Sequence, residues 1–179
     1  VAVPLGLVMG YYQAADAWLD PLVELLRPIP PLAWISLAII WFGIGEGPKW
    51  FLIFLGAFFP IVLNTVAGVR EVDPDLIKAA RSLGADSSRV FRQVIFPASV
   101  PSILTGLRVG LGVAWTSVVA AEMIAGQSGL GFFILDSRRY SNTHLVMVGM
   151  LVIGLLGYLM EYLLRIAEQR LTGWVERTG

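Results

Sequence analysis

Long apolar runs alternate with polar ones along the chain. The apolar blocks cover residues 1–12, 31–44, 50–69, 100–123 and 145–166. A helix that crosses a bilayer needs roughly 20 such residues, so the pattern predicts about five transmembrane helices. The first block is too short to cross alone, and the second needs interfacial residues to complete its span. Polar segments 13–30, 45–49, 70–97, 124–144 and 167–179 separate the blocks. The expected fold class is all-α integral membrane. The chain starts apolar at Val1, without the basic stretch that opens a signal peptide. It reads as an N-terminally truncated single transmembrane domain over residues 1–179, beginning inside a helix.

Two polar segments carry helix signals of their own. In residues 13–30, Asp20 is placed as an N-cap and Pro21 at the first helical position. Leu22, Val23, Leu25 and Leu26 give a short apolar face that Pro28 ends. This is either an interfacial helix or an elbow between spans. The longer signal lies in residues 71–97. Asp73 is an N-cap, Pro74 fits the first turn and Asp75 adds favourable charge. Leu76, Ile77, Ala80 and Leu83 fall on one helical face, and Gly84 stands where a left-handed C-cap is expected. Asp86 caps a second helix with Val90, Phe91, Val94 and Ile95 on its apolar face; Pro97 and Pro101 are expected to stop it. Both helices are basic and amphipathic, as suits the headgroup region of a membrane.

Charge sets the orientation. Lys and Arg are retained on the cytoplasmic side of short loops. Helices alternate, so the first, third and fifth polar segments share a side. They hold Arg27, Arg70, Lys78, Arg81, Arg89, Arg92, Arg170 and Arg177, with Arg108 and Arg165 on helix ends facing the same way. The other side holds Lys49, Arg138 and Arg139. The 71–97 loop and the C-terminus are therefore expected in the cytoplasm. The helix pair hinged at Gly84, with small Ala79 and Ala80 beside it, reads as a docking knob; a solvated loop helix is the plainer alternative.

Composition narrows the class. Charged residues make up 15% of the chain and mean hydropathy is +0.74, against about 25% charged in soluble domains. There is no cysteine, so no disulfide framework or thiolate metal site. His144 is the lone histidine, without clustered ligands, which argues against a metal site. Zero net charge gives no global field for nucleic acid.

At residues 78–97 the chain resembles the permease subunits of binding-protein-dependent ABC importers, whose hallmark is E-A-A-x-x-x-G, a spacer and I-x-L-P. Ala79 and Ala80 match the alanines, Gly84 the glycine, and Val94, Phe96 and Pro97 the closing motif; Lys78 replaces the glutamate. Asp20-Pro21, residues 27–34, Trp41-Phe42-Gly43-Ile44-Gly45-Glu46, Gly106-Leu107-Arg108, Ala114-Trp115, Ala120-Ala121-Glu122-Met123 and Gly129-Leu130-Gly131 look like the taurine, aliphatic sulfonate and nitrate branch. The tail Arg170-Leu171-Thr172-Gly173-Trp174 looks most like taurine permeases. The resemblance implies an ABC importer-type transmembrane domain of six helices, of which this chain holds about five, in the cell inner membrane. It implies a homodimer of permeases, two cytoplasmic ATPase subunits and a periplasmic or lipid-anchored binding protein. ATP and Mg would sit on the ATPases, with no cofactor on this chain. Leu76, Lys78, Ala79, Ala80, Leu83, Gly84, Asp86, Phe91 and Pro97 would then form the ATPase-coupling interface. In keeping with this, no G-x-x-x-x-G-K-[ST] phosphate loop is present.

Ionisable groups within spans are functional hypotheses. Arg108 lies about 10 Å along its helix from Pro101 and Glu122 about 20 Å further. Arg108 either snorkels to headgroups or faces an anion path. Glu122 is either a solvated interfacial carboxylate or part of a pore or gate. Trp115, Thr116 and Ser117 lie between them; the hydroxyls either donate to sulfonate or nitrate oxygens or bond back to their own helix. Arg138 and Arg139 are candidates for binding-protein contact, or belong to a solvated loop. Trp34, Trp41, Trp50 and Trp174 suit interfacial aromatic belts. The Gly6–Gly10 and Gly106–Gly110 spacings permit close helix packing, within the chain or at a dimer seam. An ATPase-independent secondary transporter or channel would favour repeated broken helices, and no repeat is seen. A membrane enzyme would need a convergent catalytic set, and none is seen.

Overall fold

The computed structural model describes residues 1–172, and side chains as far as Gln169. These residues form nine α-helices: α1 (Ala2–Tyr11), α2 (Gln13–Leu26), α3 (Ile35–Phe42), α4 (Glu46–Arg70), α5 (Pro74–Ser82), α6 (Ser87–Val90), α7 (Phe96–Ala125), α8 (Leu130–Arg139) and α9 (Thr143–Thr172). A 3-10 turn at Pro31–Trp34 precedes α3, and a π-turn at Phe91–Ile95 joins α6 to α7. Trp174 and Arg177, and the end of the taurine-like tail, lie outside the described residues.

Among the described residues, three helices are long and apolar enough to cross a membrane: Glu46–Arg70, Ser87–Ala125 and Thr143–Gln169. A fourth is reached only if Gln13–Leu26 and Pro31–Phe42 count as one broken span. The expected five helices thus become three full spans, because Ala2–Tyr11 has 10 residues and Ile35–Phe42 has 8, and a helix rises only about 1.5 Å per residue.

Three proline expectations are corrected. The helix before Pro28 starts at Gln13, not at an Asp20 cap; Pro21 lies inside it. The stretch Gln13-Ala14-Ala15-Asp16-Ala17 is a strong helix former, and outweighs the single hydrogen bond lost at Pro21. Nor do Pro97 and Pro101 end the helix that Asp86 caps, since the helical path runs from Ser87 to Ala125. The π-turn explains the passage of Pro97. The Phe96 N–H donates to Phe91 O, a wider turn that leaves room for the Pro97 ring, which lacks a donor and crowds the preceding carbonyl in a regular helix.

The chain forms two compact units. One comprises residues 1–26 and 59–107 with the described end of α9 from Glu168. Its core is Val69, Val72, Val90 and Ile95, with Leu7, Tyr11, Ile77 and Ala80 packed against it. Glycines let its helices close up. A Cβ on Gly6 would lie 2.6 Å from Thr65 Cβ, and one on Gly10 2.6 Å from Val69 Cβ. Gly106 meets Asn64 the same way, at 2.8 Å. Gly6 and Gly10 therefore pack within the chain, against α4. Asp16 of α2 pairs with Arg70 at the end of α4.

The other unit comprises residues 27–58 and 108–167. Ile35, Leu52 and Ala121 form its core, with Trp34 and Ile39 alongside. Phe51 sits among Trp34, Trp41 and Phe42, with ring centroids 6.2, 5.8 and 5.5 Å away. On α9 only a narrow stripe is covered, Gly149 against Ile134 and Gly157 against Trp115. Within its span 6% is buried, against 39% for α4. An apolar helix this bare is suited to lipid or to a second apolar surface, not to water.

Candidate functional site

The segment between α4 and α7 is built by local hydrogen bonds. The Asp73 carboxylate accepts from the Asp75 N–H at 2.8 Å, and Pro74 takes the first helical position. At the other end of α5, Gly84 adopts φ +83. Its N–H donates to Arg81 O at 2.9 Å, and the Ala85 N–H donates to Ala80 O at 3.1 Å. This is a Schellman cap, which satisfies the helix's orphan carbonyls and needs a left-handed residue at its centre. Asp86 then accepts from the Arg89 N–H at 3.3 Å and starts α6. Each such cap is worth about 1 kcal/mol, and the turn between the helices is set by them.

The apolar stripe expected on α5 divides. Ile77 and Ala80 pack on the Val69–Val72–Val90–Ile95 core, whereas Leu76 is 54% and Leu83 89% exposed. Ala79 is exposed beside them. The stripe is roughly 120° wide at 3.6 residues per turn, and the core covers only its Ile77 edge. Leu76, Ala79 and Leu83, spaced as neighbours on one helix face, remain as an apolar surface. Lys78 pairs with Asp75 of its own helix at 2.7 Å, both side chains exposed, a pair of little stabilising value. Phe91 packs edge-on against Tyr11 at 5.2 Å, and Pro97 is half-buried in the first turn of α7.

The residues expected along a path separate into three places. Arg108, Trp115 and Thr116 line one cleft between α7 and α9, about 480 Å³ in volume. Tyr158 and Glu161 of α9 line it too; sequence reasoning missed them, since no motif marked them. The Thr116 hydroxyl donates to Val113 O at 2.9 Å, yet the residue is exposed in the cleft. Ser117 is turned away, buried against Gly56 of α4, and donates to Val113 O at 2.7 Å.

Glu122 has a different task. Its Oε2 accepts from the Gly131 N–H at 2.9 Å, across the turn to α8. Gly129, at φ +111, packs so closely on this carboxyl that a Cβ there would overlap Glu122 Cδ. A carboxylate at a helix start satisfies an unpaired donor and suits the helix dipole. Arg138 and Arg139 are exposed in the last turn of α8, where positive charge is favourable. Among the described residues no group of three or more His, Cys, Asp or Glu is placed to hold a metal.

Long apolar helices, with one capped polar helix pair between two of them, define a multi-pass helical membrane protein. The chain belongs to the family of binding-protein-dependent transport system inner membrane components, which matches residues 2–173. It is a permease component of an ABC transporter, not itself an ATPase. It is 50% identical over 175 residues to a Methanocaldococcus jannaschii protein described as an ABC transporter permease, covering 97% of this chain and 66% of that one. Identity is 46% over 172 residues to the taurine transport system permease protein of Escherichia coli, covering 96% and 62%. It is 38% over 168 residues to the nitrate import permease protein of Synechocystis, covering 94% and 61%. The chain thus spans about two thirds of the length of these relatives. In fold it matches a chain of the inward-facing MetNI methionine ABC transporter with a TM-score of 0.74 at 19% identity, covering 96% of this chain and 86% of that one.

Proposed function

We propose that the chain is the transmembrane permease subunit of an ATP-driven importer for taurine and aliphatic sulfonates, or for nitrate. In this reading two copies form the pathway and two cytoplasmic ATPase subunits dock on the α5–α6 pair. A binding protein delivers the anion from outside. The 71–97 loop and the C-terminus face the cytoplasm.

The observation that carries this reading is the α5–α6 pair. Its caps fix the geometry, its Ile77 edge is anchored to the core, and its Leu76–Ala79–Leu83 edge is left bare. A rigid element with an apolar outer edge transmits force, which a frayed loop does not. Closure of the ATPases would push α5 and α6, and the unbroken path from Ser87 to Ala125 would carry the motion into the membrane. Arg108, lining the cleft with α9, would offer guanidinium donors to an anion's oxygens; the Thr116 hydroxyl hydrogen is given to its own helix at Val113 O, and Glu122 holds the turn before α8.

The test uses the full-length permease and its ATPase in proteoliposomes. The binding protein is added loaded with taurine, an alkanesulfonate or nitrate, and ATP hydrolysis and uptake are measured. Stimulation of both by one ligand supports the reading and names the substrate. No stimulation by any, from an assembled complex and a ligand-competent binding protein, moves the substrate outside this group.

A further inference from the structure

A second cleft, about 520 Å³, opens between α1 and the start of α6. Its lining is mixed in chemistry. Ser87, Ser88 and Arg92 are polar and exposed. Leu7, Val8 and Phe91 are apolar. Tyr11 and Tyr12 complete the lining, Tyr12 58% exposed. Arg89 is paired with Asp86 at 3.6 Å, but Arg92 has no carboxylate partner among the described residues, and neither serine hydroxyl has a hydrogen-bond partner there. Ser87 opens the Ser87–Ala125 span, and Leu7 and Val8 lie one turn before Tyr11 and Tyr12 at the end of α1. Hydroxyls and a guanidinium beside apolar side chains suit a lipid headgroup and its chain, with tyrosines at headgroup level.

We propose that this cleft holds one anionic phospholipid, its phosphate on Arg92 and the Ser87 and Ser88 hydroxyls, and an acyl chain along Leu7, Val8 and Phe91. A guanidinium and two hydroxyls match the phosphate's acceptor oxygens. The unpaired positive charge favours a headgroup of net negative charge over a zwitterionic one. Cavities of this size hold small ligands, so the headgroup and the upper chain fit. The lipid would lie against Phe91, the first residue of the π-turn. The surface is separate from the bare Leu76–Ala79–Leu83 edge.

The test uses the full-length permease in nanodiscs of mixed phosphatidylcholine and phosphatidylglycerol. A photoreactive acyl chain is carried by phosphatidylglycerol or by phosphatidylcholine. Adducts are expected on residues 7–12 and 87–92, mainly from the glycerol lipid. Arg92→Gln should cut its adduct about fivefold, the worth of one cation near a surface, and erase the preference over phosphatidylcholine. Val8→Trp, which leaves every polar group in place, should lower both adducts together. An unchanged adduct in both variants, or none on these peptides because a protein segment fills the cleft, overturns the proposal. So does full displacement by millimolar inorganic phosphate, which would make free phosphate the occupant.

Discussion

Replacing Gly84 tests whether the α5–α6 geometry is what an ATPase recognises. The residue sits at φ +83, and a Cβ there would find nothing within 4 Å. Gly84→Ala therefore adds no clash and costs only the left-handed backbone, about 1–2 kcal/mol. Gly84→Asn costs less, since Asn tolerates this region. Gly84→Pro is worse in kind. Its φ is held near about −65°, and it removes the N–H that donates to Arg81 O at 2.9 Å. The Schellman turn then cannot form. If docking requires the turn, 1–2 kcal/mol lowers affinity by up to about 5–30-fold. The assay titrates the ATPase against full-length permease in nanodiscs, with amide exchange over residues 80–85 read in parallel. Affinity should fall in the order Gly, Asn, Ala, Pro, and exchange should rise in the same order. Equal affinity for Gly, Ala and Pro, with the turn visibly melted in the last, would refute the reasoning.

Two further outcomes are expected. Gly10→Ala places a Cβ 2.6 Å from Val69 Cβ, so overpacking should cost about 1–3 kcal/mol, seen as a lower Tm. Gly154→Ala, which meets nothing within 4 Å, should leave Tm unchanged or raise it; an equal loss in both would remove the packing argument. Glu122→Ala orphans the Gly131 N–H and should cost about 1–3 kcal/mol, with faster amide exchange over residues 129–134. Glu122→Gln keeps an acceptor and should exchange close to wild type; loss equal to alanine would mean the charge, not the hydrogen bond, holds the turn.

Much of this protein is decided within a few residues. Asp73, Gly84 and Asp86 act on donors and acceptors at most five positions away, so the helix pair and its hinge were readable in the sequence. The three long spans were readable for the same reason, since hydropathy is summed along the chain. Local reading failed where two local rules competed. At Pro21 helix propensity outweighed a proline signal, and at Pro97 a π-turn absorbed one. It also failed wherever distant residues meet. That Leu76 and Leu83 stay bare while Ile77 and Ala80 are covered depends on where the core lies. That Thr116 faces a cleft with Glu161 while Ser117 is buried on Gly56 depends on how α7 meets α9 and α4. Glu122 binds across nine positions to Gly131. The sequence by itself set the helices, their caps and the family signature, because these are near-neighbour energies. Only the tertiary structure decided which side chains are exposed, paired or brought to one cleft, because those depend on contacts whose partners lie far apart along the chain.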